Sequence, residues 1–136
     1  MQFLIETDVL REYLIAGKGK ETLLRKALSK GVCYTTMYNA LELFRAAKTK
    51  EDSDAILQML MVVRVLGFNA RYAQNFSAAT AEIEKQTGLS VTLRESMMIG
   101  MAKISKLSIV TIDFFERYNA MKAVPVLCSV EEVPIA

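Results

Sequence analysis

The chain is 136 residues long, 52% apolar and 24% charged, which fits one globular domain with one main core spanning residues 1–136 and argues against a disordered chain. Six glycines and two prolines are too few for a collagen-like or linker-rich protein, and the absence of histidine removes Ser-His-Asp triads, Cys-His dyads and imidazole metal ligands. Seventeen basic against fifteen acidic residues give +2, too even a balance to point to nucleic acid or membrane by itself.

Phe3-Leu4-Ile5 reads as a short buried strand ending at Glu6-Thr7-Asp8. A helix follows to Ala16, with Val9, Leu10, Tyr13 and Leu14 on one stripe and Gly17 closing it. Leu23, Leu24, Ala27 and Leu28 mark a second helix up to Gly31, and Val32-Cys33-Tyr34-Thr35 a second strand. Thr36 with Asn39 three residues later opens a helix through Ala47. Glu51, Asp52 and Asp54 fall in the first turn of the next, where the macrodipole favours anions, and that helix is expected to run to about Leu66. Further helices are expected over Arg71 to Thr87 and Arg94 to Lys106, then strands at Ser108–Thr111 and Val124–Leu127. Short, uniformly apolar strands alternating with helices predict a three-layer α/β/α sandwich with a mostly parallel central sheet.

Several features carry no chemistry. Gly17-Lys18-Gly19-Lys20-Glu21-Thr22 glances at a phosphate-binding loop, but it lacks the leading glycine, places Glu21 where Ser or Thr should be, and follows a helix instead of a strand. Cys33 and Cys128 form no CxxC pair and read as buried free thiols, while the eight methionines read as adaptable core filler. The N-terminus is no secretory signal, and the stretch Ile56 to Phe68, broken by Gln58 and Arg64, is too short to span a bilayer. A soluble, cytoplasmic protein is expected.

Open parallel sheets bind ligands beyond the carboxyl ends of their strands, and acids gather there. Glu6 follows the first strand, Glu42 lies in the helix after the second, Glu95 opens the helix leading into the Ser108 strand, and Asp113 follows that strand. Glu95 shares a helix face with Met98, Ile99 and Ala102, and its own helix offers no Lys or Arg three or four residues on. Carboxylates aimed at one place repel one another, which a hard oxygen-loving dication resolves. Setting these four acids aside leaves 11 acids against 17 bases, or +6, a negative pocket on a basic body suited to a polyanionic substrate. Taken singly, each of these acids is also compatible with a plain solvated position.

The order of these motifs resembles PIN-domain proteins, in particular the short toxin type of toxin–antitoxin pairs. Phe3-Leu4-Ile5-Glu6-Thr7-Asp8-Val9-Leu10 is similar to the opening strand and Asp-Thr-Asn-Val-Leu pattern. Tyr34 through Leu43, with its internal Glu42, resembles the second motif, Glu95 through Ala102 the third, and Ile109-Val110-Thr111-Ile112-Asp113 the fourth. Glu6 and Glu95 stand where the family usually has Asp, and Phe115 where a further acid is frequent. A carboxylate displaced by one methylene suits octahedral magnesium poorly.

The resemblance implies a Mg²⁺- or Mn²⁺-dependent endoribonuclease in which Glu6, Glu42, Glu95 and Asp113 are catalytic, and these four with Asp8 hold metal. Thr7 and Thr111 would hydrogen-bond those carboxylates. It also implies RNA as substrate, a homodimer, a small antitoxin protein as partner and no membrane association, with the helical region near Ile56 to Leu66 as a contact surface. Lys18, Lys20, Arg11 and Arg45 are candidate phosphate contacts, though each taken singly reads better as a plain solvated charge. The alternative is a catalytically weak or inactive PIN-like domain that binds RNA or protein, favoured by the two Glu-for-Asp replacements. A dehalogenase-like phosphatase requires an Asp nucleophile where Glu6 stands.

Overall fold

The computed structural model describes residues 1–135. Its twelve elements are β1 (Gln2–Ile5), α1 (Thr7–Ala16), α2 (Leu23–Lys30), β2 (Val32–Thr36), α3 (Met37–Ala46), α4 (Lys50–Met59), β3 (Arg64–Leu66), α5 (Ala70–Thr87), α6 (Leu93–Ser105), β4 (Ser108–Val110), α7 (Phe115–Ala120) and β5 (Val126–Leu127). The strands form one sheet in the order β3-β2-β1-β4-β5, and every pairing is parallel.

Strand alternation builds the three layers. Phe3, Ile5, Cys33 and Val110 point into a core shared with Val9, Leu10, Leu24, Leu43 and Ile56 of α1 to α4. Leu4 and Ile109 point the other way, into a core with Phe76, Ile83, Met98, Ile99 and Tyr118 of α5 to α7. A strand buried on both faces cannot alternate polar with apolar, which is why these strands read as continuous hydrophobic runs. The sheet grows outward from β1 through β2 to β3, then returns to β4 and β5 on the other side of β1. Right-handed crossovers in opposite directions put the two helix groups on opposite faces.

Threonine and asparagine set the helix starts. The side chains of Thr22, Thr36, Thr49, Asn69 and Thr92 each accept a backbone N–H at the third helical residue. Both Thr36/Asn39 and Thr92/Glu95 are complete capping boxes, with the third residue's side chain bonding back to the cap.

Three sequence expectations are corrected. The helix expected to reach Leu66 ends at Met59, and Arg64–Leu66 is the edge strand β3. Ile56, Met59 and Val63 are all buried at helical spacing, so the pattern persists beyond the helix, while the β-branched Val62-Val63-Arg64-Val65 run favours a strand. The helix α7 lies where none was expected; six residues are too few to show a period, and its N-cap Phe114 makes no side-chain cap. Cys33 is buried as expected, its thiol pushed up to about 12 by burial, but Cys128 is exposed. Among the described residues no helix is long and apolar enough to cross a membrane.

The helices α5 and α6 pack tightly at Gly100, where an added Cβ would stand 2.3 Å from Cδ1 and 2.4 Å from Cγ of the buried Phe76 ring. Overpacking of that kind costs about 1–3 kcal/mol, more than the ~0.5–1 kcal/mol that alanine gains over glycine in a helix. Gly100→Ala is therefore expected to lower the urea midpoint, and Phe76→Leu to restore part of it in the double variant. A Gly100→Ala midpoint equal to or above the parent's would refute this packing.

Candidate functional site

The chain reverses its direction of sheet growth at β1, so the carboxyl ends of β1 and β4 frame a switch point of the kind where α/β sheets bind ligands. Glu6 stands there as the first residue after β1 and the N-cap of α1, with its backbone extended at φ −76° and ψ 158°. Its N–H continues the sheet by donating to the Val110 carbonyl at 3.0 Å. Its carboxylate turns back to accept the Thr7 N–H at 2.8 Å, a favourable place for a negative charge at a helix N-terminus.

Glu6 has no exposed surface, and its charge is met by donors on every side. Oε1 accepts from the Thr7 N–H, Asn39 Nδ2 at 2.8 Å and Arg94 Nη2 at 2.5 Å. Oε2 accepts from Tyr118 Oη at 2.5 Å and Arg94 Nε at 3.3 Å. Burial, and then the adjacent Glu6 charge, raise the Tyr118 phenol above its ordinary pKa, so it stays protonated and donating. Asn39 is held by its own cap, its Oδ1 accepting the Thr36 N–H at 3.1 Å, which fixes which end of the amide faces Glu6.

Arg94 joins the second carboxylate to the first. Its Nη1 donates to Glu42 Oε2 at 2.5 Å, while Glu42 Oε1 accepts from Thr7 Oγ1 at 2.7 Å. Asn39 Nδ2 donates to that same Thr7 oxygen at 2.8 Å, closing the network. The guanidinium carbon lies 5.6 Å from the Tyr38 ring centre and 5.5 Å from that of Phe114. Burial alone would weaken its charge, but the bonds to Glu6 and Glu42 outweigh that and hold its pKa above the ordinary arginine value.

The remaining expected residues are engaged elsewhere. Glu95 is bound by Arg117 of α7, with Nε at 2.7 Å from Oε2 and Nη2 at 3.0 Å from Oε1. Its Oε1 also accepts the Thr92 N–H at 2.9 Å. The cation missing from its own helix thus comes from a different one. Asp8 Oδ2 accepts from Thr111 Oγ1 at 2.9 Å and from the Ile112 and Asp113 N–H groups at 3.0 and 2.7 Å, tying the start of α1 to the loop after β4. Asp113 itself is exposed. Thr7 and Thr111 do bond the carboxylates of Glu42 and Asp8.

Sequence reading missed Arg94, Asn39, Tyr118 and Arg117. Asn39 was visible as a cap, but not as a donor across 33 positions to Glu6. Arg94 was legible only as an arginine among apolar residues in the first turn of a core-packed helix, a costly position without a partner. Tyr118 and Arg117 lie on α7, whose existence gave no signal.

No family profile matches the chain, and no curated protein sequence matches it. Solved structures do. The fold is similar to that of a chain in VapBC2 from Rickettsia felis bound to a DNA fragment from their promoter, with TM-score 0.76, 12% identity, and 93% and 98% of the two chains covered. It is similar to one in DNA-bound VapBC from Salmonella typhimurium, with TM-score 0.73, 18% identity and 93% and 97% covered. It is similar again to one in VapBC-1 from nontypeable Haemophilus influenzae, with TM-score 0.71, 15% identity and 93% and 97% covered. The fold is thus the VapC-like PIN fold expected from the motifs, carried over nearly the whole chain.

A PIN resemblance brings with it Mg²⁺ or Mn²⁺, and the donor set can be tested for fit. A carboxylate offers about four lone-pair positions, and five donors already crowd those of Glu6. Glu42 already accepts one donor on each oxygen, from Thr7 and Arg94, and Glu95 accepts three, two from Arg117 and one from its own cap. Among the described residues no group of three or more Cys, Asp or Glu is placed to hold a metal ion. The residues as arranged do not fit a divalent ion.

The Glu95 pair gives a pH signature. Burial alone would raise the Glu95 pKa, but Arg117 and the Thr92 donors together hold it below the ordinary value. A carboxylate depressed in the folded state contributes stability above its unfolded pKa of about 4, and that contribution disappears as pH falls through the folded value. Arg117→Met is therefore expected to destabilise the protein at neutral pH and to approach the parent as the medium is acidified below the carboxylate range. Parallel stability curves for the two proteins would contradict the pairing.

Proposed function

We propose that this chain is the PIN-fold member of a toxin–antitoxin-type pair, working in the cytoplasm through a protein partner, with its acid cleft closed to metal-dependent RNA hydrolysis in the arrangement described. The observation that carries the second half is the Arg94 guanidinium bonded to Glu6 and Glu42 at once. Supporting the first half, the similar structures are those of VapBC and FitAB, three of them bound to DNA. The contact surface we assign lies around the end of α4 and β3, where Leu57, Met61 and Val62 are 56, 83 and 53% exposed. A homodimer would use part of the same apolar surface.

A second reading, an endoribonuclease acting with Mg²⁺ or Mn²⁺, draws on one observation. Glu6 and Glu42, remote in sequence, do converge at the carboxyl end of the sheet, as a nuclease of this fold requires.

Two measurements test these readings. Co-expression with the product of a neighbouring short reading frame should yield one complex in size-exclusion chromatography, weakened by Met61→Glu. Single-stranded RNA incubated with the purified protein and Mn²⁺ should remain intact to the same degree as with Glu42→Gln. Cleavage that needs Mn²⁺ and is lost in Glu42→Gln would establish the endoribonuclease instead, and failure to form any complex would remove the partner.

A further inference from the structure

We propose that Arg94 is the resident cation of the acid cleft: a guanidinium delivered by α6 fills the place between Glu6 and Glu42 that a hard dication would otherwise have to occupy. The inference deepens the functional reading above and rests on its account of the cleft, not on its partner.

The geometry is that of a built site. Three separate nitrogens of one planar group reach both carboxylates, Nη2 and Nε to the two oxygens of Glu6 and Nη1 to Glu42. Such a fork matches carboxylate geometry in a way that a point charge does not. Glu6 is fully buried, and the Arg94 side chain keeps only 22% of its surface exposed. Tyr38 and Phe114 lie against the guanidinium and limit where it can swing. Every buried side-chain N and O among the described residues has a hydrogen-bond partner, so the network closes without an added ion.

Electrostatics explains why a cation is needed. Two carboxylates meeting at one point in a partly desolvated cleft would otherwise shift toward protonation or separate. Mg²⁺ demands oxygen ligands at near-octahedral positions about 2.0–2.1 Å away, with several retained waters. Arginine satisfies the same charges through N–H groups at hydrogen-bond distance and cannot dissociate from the chain. It therefore makes the cleft's charge balance independent of divalent ion supply.

Mn²⁺ is the probe, followed by the electron paramagnetic resonance of the free ion and by thermal melting. The parent protein is expected to bind no stoichiometric Mn²⁺ and to melt at the same temperature with or without it. Arg94→Gln should melt lower, bind Mn²⁺ at least about tenfold more tightly than the parent, and regain part of its melting temperature with the ion. Adding Glu6→Gln to that variant should abolish the gain. Stoichiometric Mn²⁺ on the parent, lost in Glu6→Gln, would overturn the proposal; so would a folded Arg94→Gln with no new affinity. The parent titration decides even if Arg94→Gln does not fold. RNA cleavage by a parent protein that binds no Mn²⁺ would defeat the functional reading and leave Arg94 in its role. Mn²⁺ binding without cleavage would do the reverse.

Discussion

A fully buried carboxylate at the carboxyl end of the central strand is the constraint from which the rest follows. Glu6 cannot be hydrated, and an ionised carboxylate without partners in such a place is far too costly to persist. Removing one member of a buried, hydrogen-bonded ion pair typically costs on the order of 3–5 kcal/mol, because the other charge is stranded. Arg94, Tyr118 and Asn39 are therefore as much structural members as the strands beside them. They come from α6, α7 and α3, and each helix must reach the same end of β1 for the charge to be satisfied.

The topology makes this possible. With β1 central and helices fed to both faces, a residue just past its carboxyl end is within reach of α3 from one layer and of α6 and α7 from the other. The same placement explains Asp8, in the first turn of α1, which gathers three donors from the segment after β4. Two acids two residues apart thus do different work: Glu6 closes the cleft, and Asp8 staples its wall.

Much of the architecture was legible. Short, continuously apolar strands buried on both faces, the Thr and Asn caps, and glycine at the ends of α1 and α5 all act locally, so the chain displays them directly. The acids at strand ends were legible too, since an apolar run ending in Glu is a local event. What could not be read is pairing across space. Glu95 looked unpartnered because only its own helix could be inspected, whereas its cation sits 22 residues away on a helix too short to announce itself. The partners of Arg94, Glu6 and Glu42, lie 88 and 52 positions away, beyond the reach of any local pattern. Of the four acids expected to meet, Glu6 and Glu42 share a cation, while Glu95 is paired with Arg117 and Asp113 is exposed. The identity of the compensating cation was not encoded in any local pattern.

The sequence separations within the cleft bear on how the molecule is made. Glu6 waits for Arg94 across 88 positions and for Tyr118 across 112. During synthesis the N-terminal strand emerges long before either partner exists, carrying a carboxylate that water must keep solvating. Burial of β1 as the central strand also needs β4, whose hydrogen bonds form only once Ser108–Val110 has left the ribosome. Completion of this site is thereby a late event of biogenesis, and a product truncated before Arg94 would leave Glu6 only the Thr7 and Asn39 donors of its network.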